Sequence, residues 1–231
     1  GSSESYFWLN NTGSLLNQTI CGLFTGIPNY IMVPIAAKMV KKWGARATSI
    51  IAGLFGFFAY MTLFFVGFHP FGQTFKDHYI FNLIWVIFGL TICGLPNKIL
   101  NVSGQIVTAE ALDYMEWKHG LRNEALVTTV QGYFGKLATS VTGWLSGMVL
   151  TWINYVPLTD SLGNAVPQTD PTMLNGIWAV FCILPALARG LYGVSFIIYP
   201  IHGDLQQQMI IELAEKRAQR LAEQEAKDHQ A

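Results

Sequence analysis

The feature that most constrains this chain is a set of five apolar runs, 17–40, 48–68, 79–107, 126–155 and 175–200. Each is long enough to cross a hydrocarbon layer about 30 Å thick, which takes roughly 20 helical residues. Peptide groups inside lipid meet no water, so each run is expected to form a helix that satisfies its own backbone. Pro28, Pro34, Gly53, Gly56, Pro96, Gly143, Gly147 and Pro185 fall inside these runs. They would weaken helices in water but are tolerated in a bilayer, where neighbouring helices satisfy the freed groups. The expected fold is therefore an all-α integral membrane protein, embedded in the lipid bilayer over residues 17–203.

Charge agrees with this partition. Only 12% of the residues are charged, against about 25% in a soluble domain. Lys plus Arg and Asp plus Glu balance at 14 each, so there is no basic field to recruit nucleic acid. The first loop carries Lys38, Lys41, Lys42 and Arg46, the third adds Lys118 and Arg122, and the tail adds Lys216, Arg217, Arg220 and Lys227. The two loops on the other side hold Lys76 alone. The positive-inside bias predicts cytoplasmic basic loops and a cytoplasmic carboxy terminus, and five spans then place the amino terminus outside. Residues 1–16 open without a signal-peptide pattern. The stretch 6–9 is too short to cross, and reads as the stump of a further helix, an outer-surface anchor or a disordered start. The tail 204–231 reads as a charged surface helix, with Leu213 and Leu221 its apolar residues, fraying to disorder and carrying no chemistry. Cys21, Cys93 and Cys182 lie in apolar runs without metal-ligand spacing, and read as buried fillers unless two helices bring a pair together.

An ionisable residue deep in a span is costly and marks a functional site by default. Lys136 lies about ten residues into the fourth run, near midplane at 1.5 Å per residue. Gly132, Gly135, Lys136, Thr139, Ser140, Gly143 and Gly147 recur at spacings of three and four, a single helix stripe with Gln131 near its cytoplasmic end. The glycines permit close helix packing and the polar residues are expected to face inward. Lys136 either lines a polar transport path or pairs structurally with a carboxylate on another helix. In the third run, Asn97, Lys98, Asn101 and Ser103 follow Pro96. This is either an opened helix of the kind transporters use for substrates, or a kink with Lys98 reaching the headgroups. Arg189 reads as structural. His69 and His78 share an outer loop with Asp77, too little for a metal site. No zinc-protease, serine-elbow or phosphate-loop pattern is present, so an enzyme is not expected.

The segment 113–124, Asp-Tyr-Met-Glu-Trp-Lys-His-Gly-Leu-Arg-Asn-Glu, and the following Val130-Gln-Gly-Tyr-Phe-Gly-Lys136 resemble the hallmark region of the glycoside-pentoside-hexuronide:cation symporters, the melibiose permease group of the major facilitator superfamily. The basic turn 38–46 and the ending Tyr199 with Gly203 and Asp204 are similar to the same family. The resemblance covers helices eight to twelve. It implies the carboxy-terminal six-helix bundle of a major facilitator fold, with about five helices complete, in a cell inner membrane. A sugar would bind between two bundles, and Na+, Li+ or H+ would bind mainly in an amino-terminal half missing from this sequence; no other cofactor is implied. Asn101, Gln131, Gly132 and Lys136 map to substrate-binding positions, and Asp113, Glu116, Lys118, Arg122 and Glu124 to a cytoplasmic gate. Asn101 replaces an aromatic and Gly132 a hydroxyl of melibiose permeases, so the sugar preference does not carry over. The competing expectation is a membrane module that transports nothing and serves in assembly.

Overall fold

A computed structural model describes residues 2–67, 78–152, 154–159, 161, 165–167 and 169–228. His69, Lys76 and Asp77 of the outer loop, the end of the second run at Phe68, and the side chain of Lys227 lie outside the described residues. The element order is α1 (Ser2–Thr12), α2 (Leu16–Val66), α3 (Tyr79–His119), α4 (Glu124–Trp152), β1 (Leu158–Thr159), β2 (Ala165–Val166), α5 (Pro171–Ser195) and α6 (Asp204–Asp228). The two short strands pair antiparallel, Leu158 opposite Val166.

Helix α2 contains the first two apolar runs. It breaks between them at Gly44, whose φ of 80° and ψ of 162° lie outside the range open to a side-chain-bearing residue. Arg46 ties this turn to the far end of α5: its Nε and Nη2 donate to the carbonyls of Phe196 and Ile197 at 3.2 and 2.6 Å. Helix α3 has 41 residues, or about 60 Å at 1.5 Å each, roughly twice the hydrocarbon thickness. Its apolar part is the run 79–107, and the helix continues past it. The expected loop 113–124 is therefore helical up to His119, and Gly120 closes the helix by donating its N–H to the Glu116 carbonyl at 2.8 Å. Helix α5 starts earlier than expected, because Asp170 caps it through the Thr172 N–H at 2.9 Å with Pro171 in the first turn.

Among the described residues, α2, α3 and α5 are long and apolar enough to cross a membrane, and they overlap four of the five apolar runs, α5 ending at Ser195 rather than at 200. The fifth, α4, is a 29-residue helix at the expected place but falls short in hydropathy, because Lys136 and many hydroxyl residues and glycines dilute its apolar content. Residues facing outward, such as Leu23, Phe24, Ile80, Leu191 and Ile198, are those a bilayer would cover.

Helix α1 is neither a surface anchor nor a disordered start. Phe7 and Trp8 are fully buried, and Phe7 stacks on Phe181 with centroids 4.4 Å apart. Asn11 donates to the Leu174 carbonyl at 3.1 Å. The aromatic run reads as an anchor in one dimension because its partners, Trp178 and Phe181, lie at the opposite end of the chain. The three cysteines are free and buried.

Helix α2 packs on α5 through glycine. A Cβ built at Gly53 would stand 2.5 Å from the Gly193 Cα, and one at Gly56 would stand 3.3 Å from the Arg189 side chain. Helices α2 and α3 share the Ser49–Ser103 hydroxyl bond, 2.8 Å and buried. By contrast, a Cβ at Gly132, Gly135, Gly143 or Gly147 would meet nothing within 4 Å. Among the described residues, the close packing expected along the α4 stripe is not made. Gly53→Ala is therefore expected to lower stability by about 1–3 kcal/mol through overpacking, whereas Gly147→Ala in the same chain stays within about 0.5 kcal/mol. Thermal unfolding in detergent checks the contrast, and equal effects would contradict the assigned interface.

Candidate functional site

The chemistry-bearing residues gather in three places. The first is an ion-pair cluster where α3 projects beyond its apolar run. Arg122, in the connection after α3, reaches Asp113 at 3.0 Å, Glu116 at 3.6 Å and Glu124 at 2.9 Å. From the other side, Arg217 of α6 reaches Asp113 at 2.8 Å and Glu116 at 2.5 Å, and Arg220 reaches Glu116 at 3.5 Å. Glu116 is buried at the centre. Its carboxyl is held below the ordinary value, first by the hydrogen bond from Arg217 and, against the opposing effect of burial, by the positive charges of Arg217, Arg122 and Arg220. Four of the five residues expected in this group come together. Lys118 does not join; its ammonium sits over the Tyr114 ring at 5.6 Å.

Helix α6 is part of this cluster, contrary to a tail without chemistry. Met209 and Leu213 bury against Tyr114, Trp117 and Tyr199, and the Trp117 indole donates to Glu212 at 2.6 Å. One turn past the third run, Glu110 is buried and accepts from Tyr199 and Gln206, both at 2.7 Å. Burial pushes its carboxyl up, the reverse of Glu116. Arg217 and Arg220 sit at positions four and seven after Leu213, so the spacing of charge against the apolar residues was the available signal.

The second place is α4. Gln131, Gly132 and Lys136 are exposed, as is almost every residue from Glu124 to Leu145, and Ser146 is the buried one. Gln131 is hydrogen-bonded to Thr108 of α3 at 2.8 Å. Among the described residues no carboxylate pairs with Lys136. Asn101 is also exposed, while its neighbours take other partners: Ser103 bonds Ser49, and Lys98 lies over the Tyr30 ring at 5.1 Å. Helix α3 runs unbroken through Pro96, so no unwound backbone is offered there. The Arg189 stem packs beside Gly56, and its Nε is buried without a hydrogen-bond partner.

The third place is a half-open cavity of about 320 Å3 between α1, both arms of α2, α3 and α5, with Glu4, Gln18, Thr25, Tyr60, Asn97 and Phe181 in its wall. Of these, Asn97 alone stood out in the sequence.

Long apolar helices, a polar stripe on an uncovered helix and a charge cluster outside the apolar layer define a helical membrane-protein bundle. The chain belongs to the MFS/sugar transport protein family, whose model matches residues 3–203. It is 29% identical over 214 residues to the uncharacterized symporter YjmB of Bacillus subtilis, covering 91% of this chain and 42% of that protein. It is 28% identical over 120 residues to the isoprimeverose transporter of Lactiplantibacillus pentosus, covering 51% of this chain and 23% of that protein. The chain thus spans less than half the length of these curated relatives. No solved structure matches it.

Because the Glu116 carboxyl is depressed in the folded state, its stabilising pairing with α6 is complete above the ordinary carboxylate value of 4.5 and is lost as pH falls through the lower folded value. Amide exchange of α6 should show protection retained at pH 5 and above, about half a unit over that value, and lost in more acid solution. Arg217→Ala should weaken the protection and move its loss to higher pH. An unchanged profile in that variant would contradict the pairing.

Proposed function

We propose that this chain is the carboxy-terminal bundle of a sugar:cation symporter, of the glycoside, pentoside or hexuronide type, that works by alternating access together with an amino-terminal six-helix bundle. The observation that carries this reading is the uncovered stripe of α4. It carries an ammonium, an amide and hydroxyls on a face that no other described part of the chain covers, and on this reading that face lies at membrane depth. A structural lysine would have a carboxylate partner, and a pure assembly module has little reason to keep charge there. Facing a second bundle, Gln131, Lys136 and Asn101 would donate to sugar hydroxyls, and Gly132 would leave room for the ring. Na+, Li+ or H+ would bind mainly in the other bundle.

The cluster of Asp113, Glu116, Arg122 and Glu124, extended by Arg217 and Arg220, would act as the gate on the cytoplasmic side of an inner membrane, with α6 and the carboxy terminus on that side. Lys118 would lie at its edge. Exposed ion pairs contribute only about 0–1 kcal/mol each, so the gate biases two states and does not lock one. The name of the Lactiplantibacillus relative, a transporter of isoprimeverose, supports a sugar as the substrate.

In vesicles holding this chain assembled with a related amino-terminal bundle, Lys136→Ala should abolish uptake of a labelled sugar while membrane insertion stays at the unmodified level. Normal uptake by that variant would remove Lys136 from the site.

A further inference from the structure

The cavity walled by Glu4 is separate from the α4 stripe. Depth can be read from both of its ends. Glu4 lies eight residues before the end of α1 at Thr12, and Thr25 lies nine residues after the start of α2 at Leu16. At 1.5 Å per residue both sit about 12–14 Å below the same end of the bundle, close to the middle of a 30 Å layer. A carboxylate at that depth is expensive unless it serves a ligand or a pairing. Around it stand the amides of Gln18 and Asn97, the hydroxyls of Thr25 and Tyr60, and the ring of Phe181.

We propose that this cavity is a binding site for one ring of a polyhydroxylated sugar. The Glu4 carboxylate and the two amides take its hydroxyl groups, and Phe181 covers its C–H face. The proposal rests on the sugar-transport reading above and extends it to a site inside this bundle. Chemistry and size select the ligand. Sugar hydroxyls donate to a carboxylate and exchange with amides, and an aromatic wall suits the apolar face of a ring. The volume of about 320 Å3 lies at the small end of organic-ligand sites, about 300–1,000 Å3. It equals the share of about ten waters, far more than a bare alkali ion fills. Among the described residues no three His, Cys, Asp or Glu side chains come together to hold a metal ion.

Cys21 also lines the cavity and provides a reporter, since Cys93 and Cys182 lie outside its wall. The experiment uses this chain assembled with a related amino-terminal bundle, with those two cysteines replaced by alanine. A panel of tritiated pentoses, hexoses and hexuronates is tested for uptake and equilibrium binding. The rate of Cys21 modification by a small methanethiosulfonate is measured with and without the sugar that is taken up. The expected result is slowing by about tenfold at saturating sugar, as site occupancy by a ligand at ten times its Kd requires. Glu4→Gln should raise the sugar Kd by about tenfold, the loss of one charge-assisted hydrogen bond, and Thr25→Val should raise it less.

Uptake of a sugar that leaves the Cys21 rate unchanged overturns the cavity assignment and spares the transport reading. Protection by saturating Na+ alone, with none added by sugar, makes the cavity a cation site and overturns the proposal. Absence of uptake and of binding across the panel overturns both readings together.

Discussion

In hydrocarbon, an apolar side chain gains nothing by leaving lipid for another helix, so helices must associate through close backbone approach and hydrogen bonds. The bundle depends on a few such contacts. Gly53 and Gly193 bring α2 against α5 at a separation that leaves no room for a methyl group. Ser49 and Ser103 join α2 to α3, and Asn11 ties α1 to the start of α5. With those helices held, Phe7, Trp178 and Phe181 fill the volume between them, and a polar cavity remains beneath. Among the described residues, helix α4 makes one such hydrogen bond, Gln131 to Thr108 of α3, and none of its glycines approaches another helix. Its glycines and hydroxyls are the type of residue that makes such contacts, and that is the physical reason to look for their partner outside this chain.

Beyond the apolar layer the balance of forces changes, because water is available and charge is cheap. There α3 continues as a helix and offers Glu110, Asp113 and Glu116 on the side that α6 covers. The two buried carboxylates respond in opposite ways. Glu110 meets only neutral donors and is pushed up by burial, while Glu116 meets arginines from both sides and is held down. A cluster of this kind couples the position of α4, through Arg122, to that of α6, through Arg217.

Much of the fold was legible because lipid imposes simple rules. The apolar runs and the basic turn between the first two follow from hydropathy and charge. The acidic and basic residues of 113–124 were legible as a group through their resemblance to the symporter family. What was not legible is whatever depends on distant partners. Phe7 and Trp8 meet Trp178 and Phe181 from the other end of the chain, so a core helix read equally as a helix stump, an anchor or a disordered start. Arg217 and Arg220 read as solvated charge because their partner Glu116 lies about a hundred residues earlier. Gly53 read as a tolerated breaker, when its role is set by Gly193 on another helix. Pro96 read either as an opening or as a kink, and α3 runs helical through it.

The central claim is that this bundle carries sugar only in company with a second one. Its most direct measurement is cation-dependent uptake of labelled glycosides, pentoses and hexuronides into vesicles, with this chain alone and with a related amino-terminal bundle co-expressed. The account predicts uptake when both bundles are present and none with either alone. Correctly inserted, assembled bundles that move no member of the panel would contradict it.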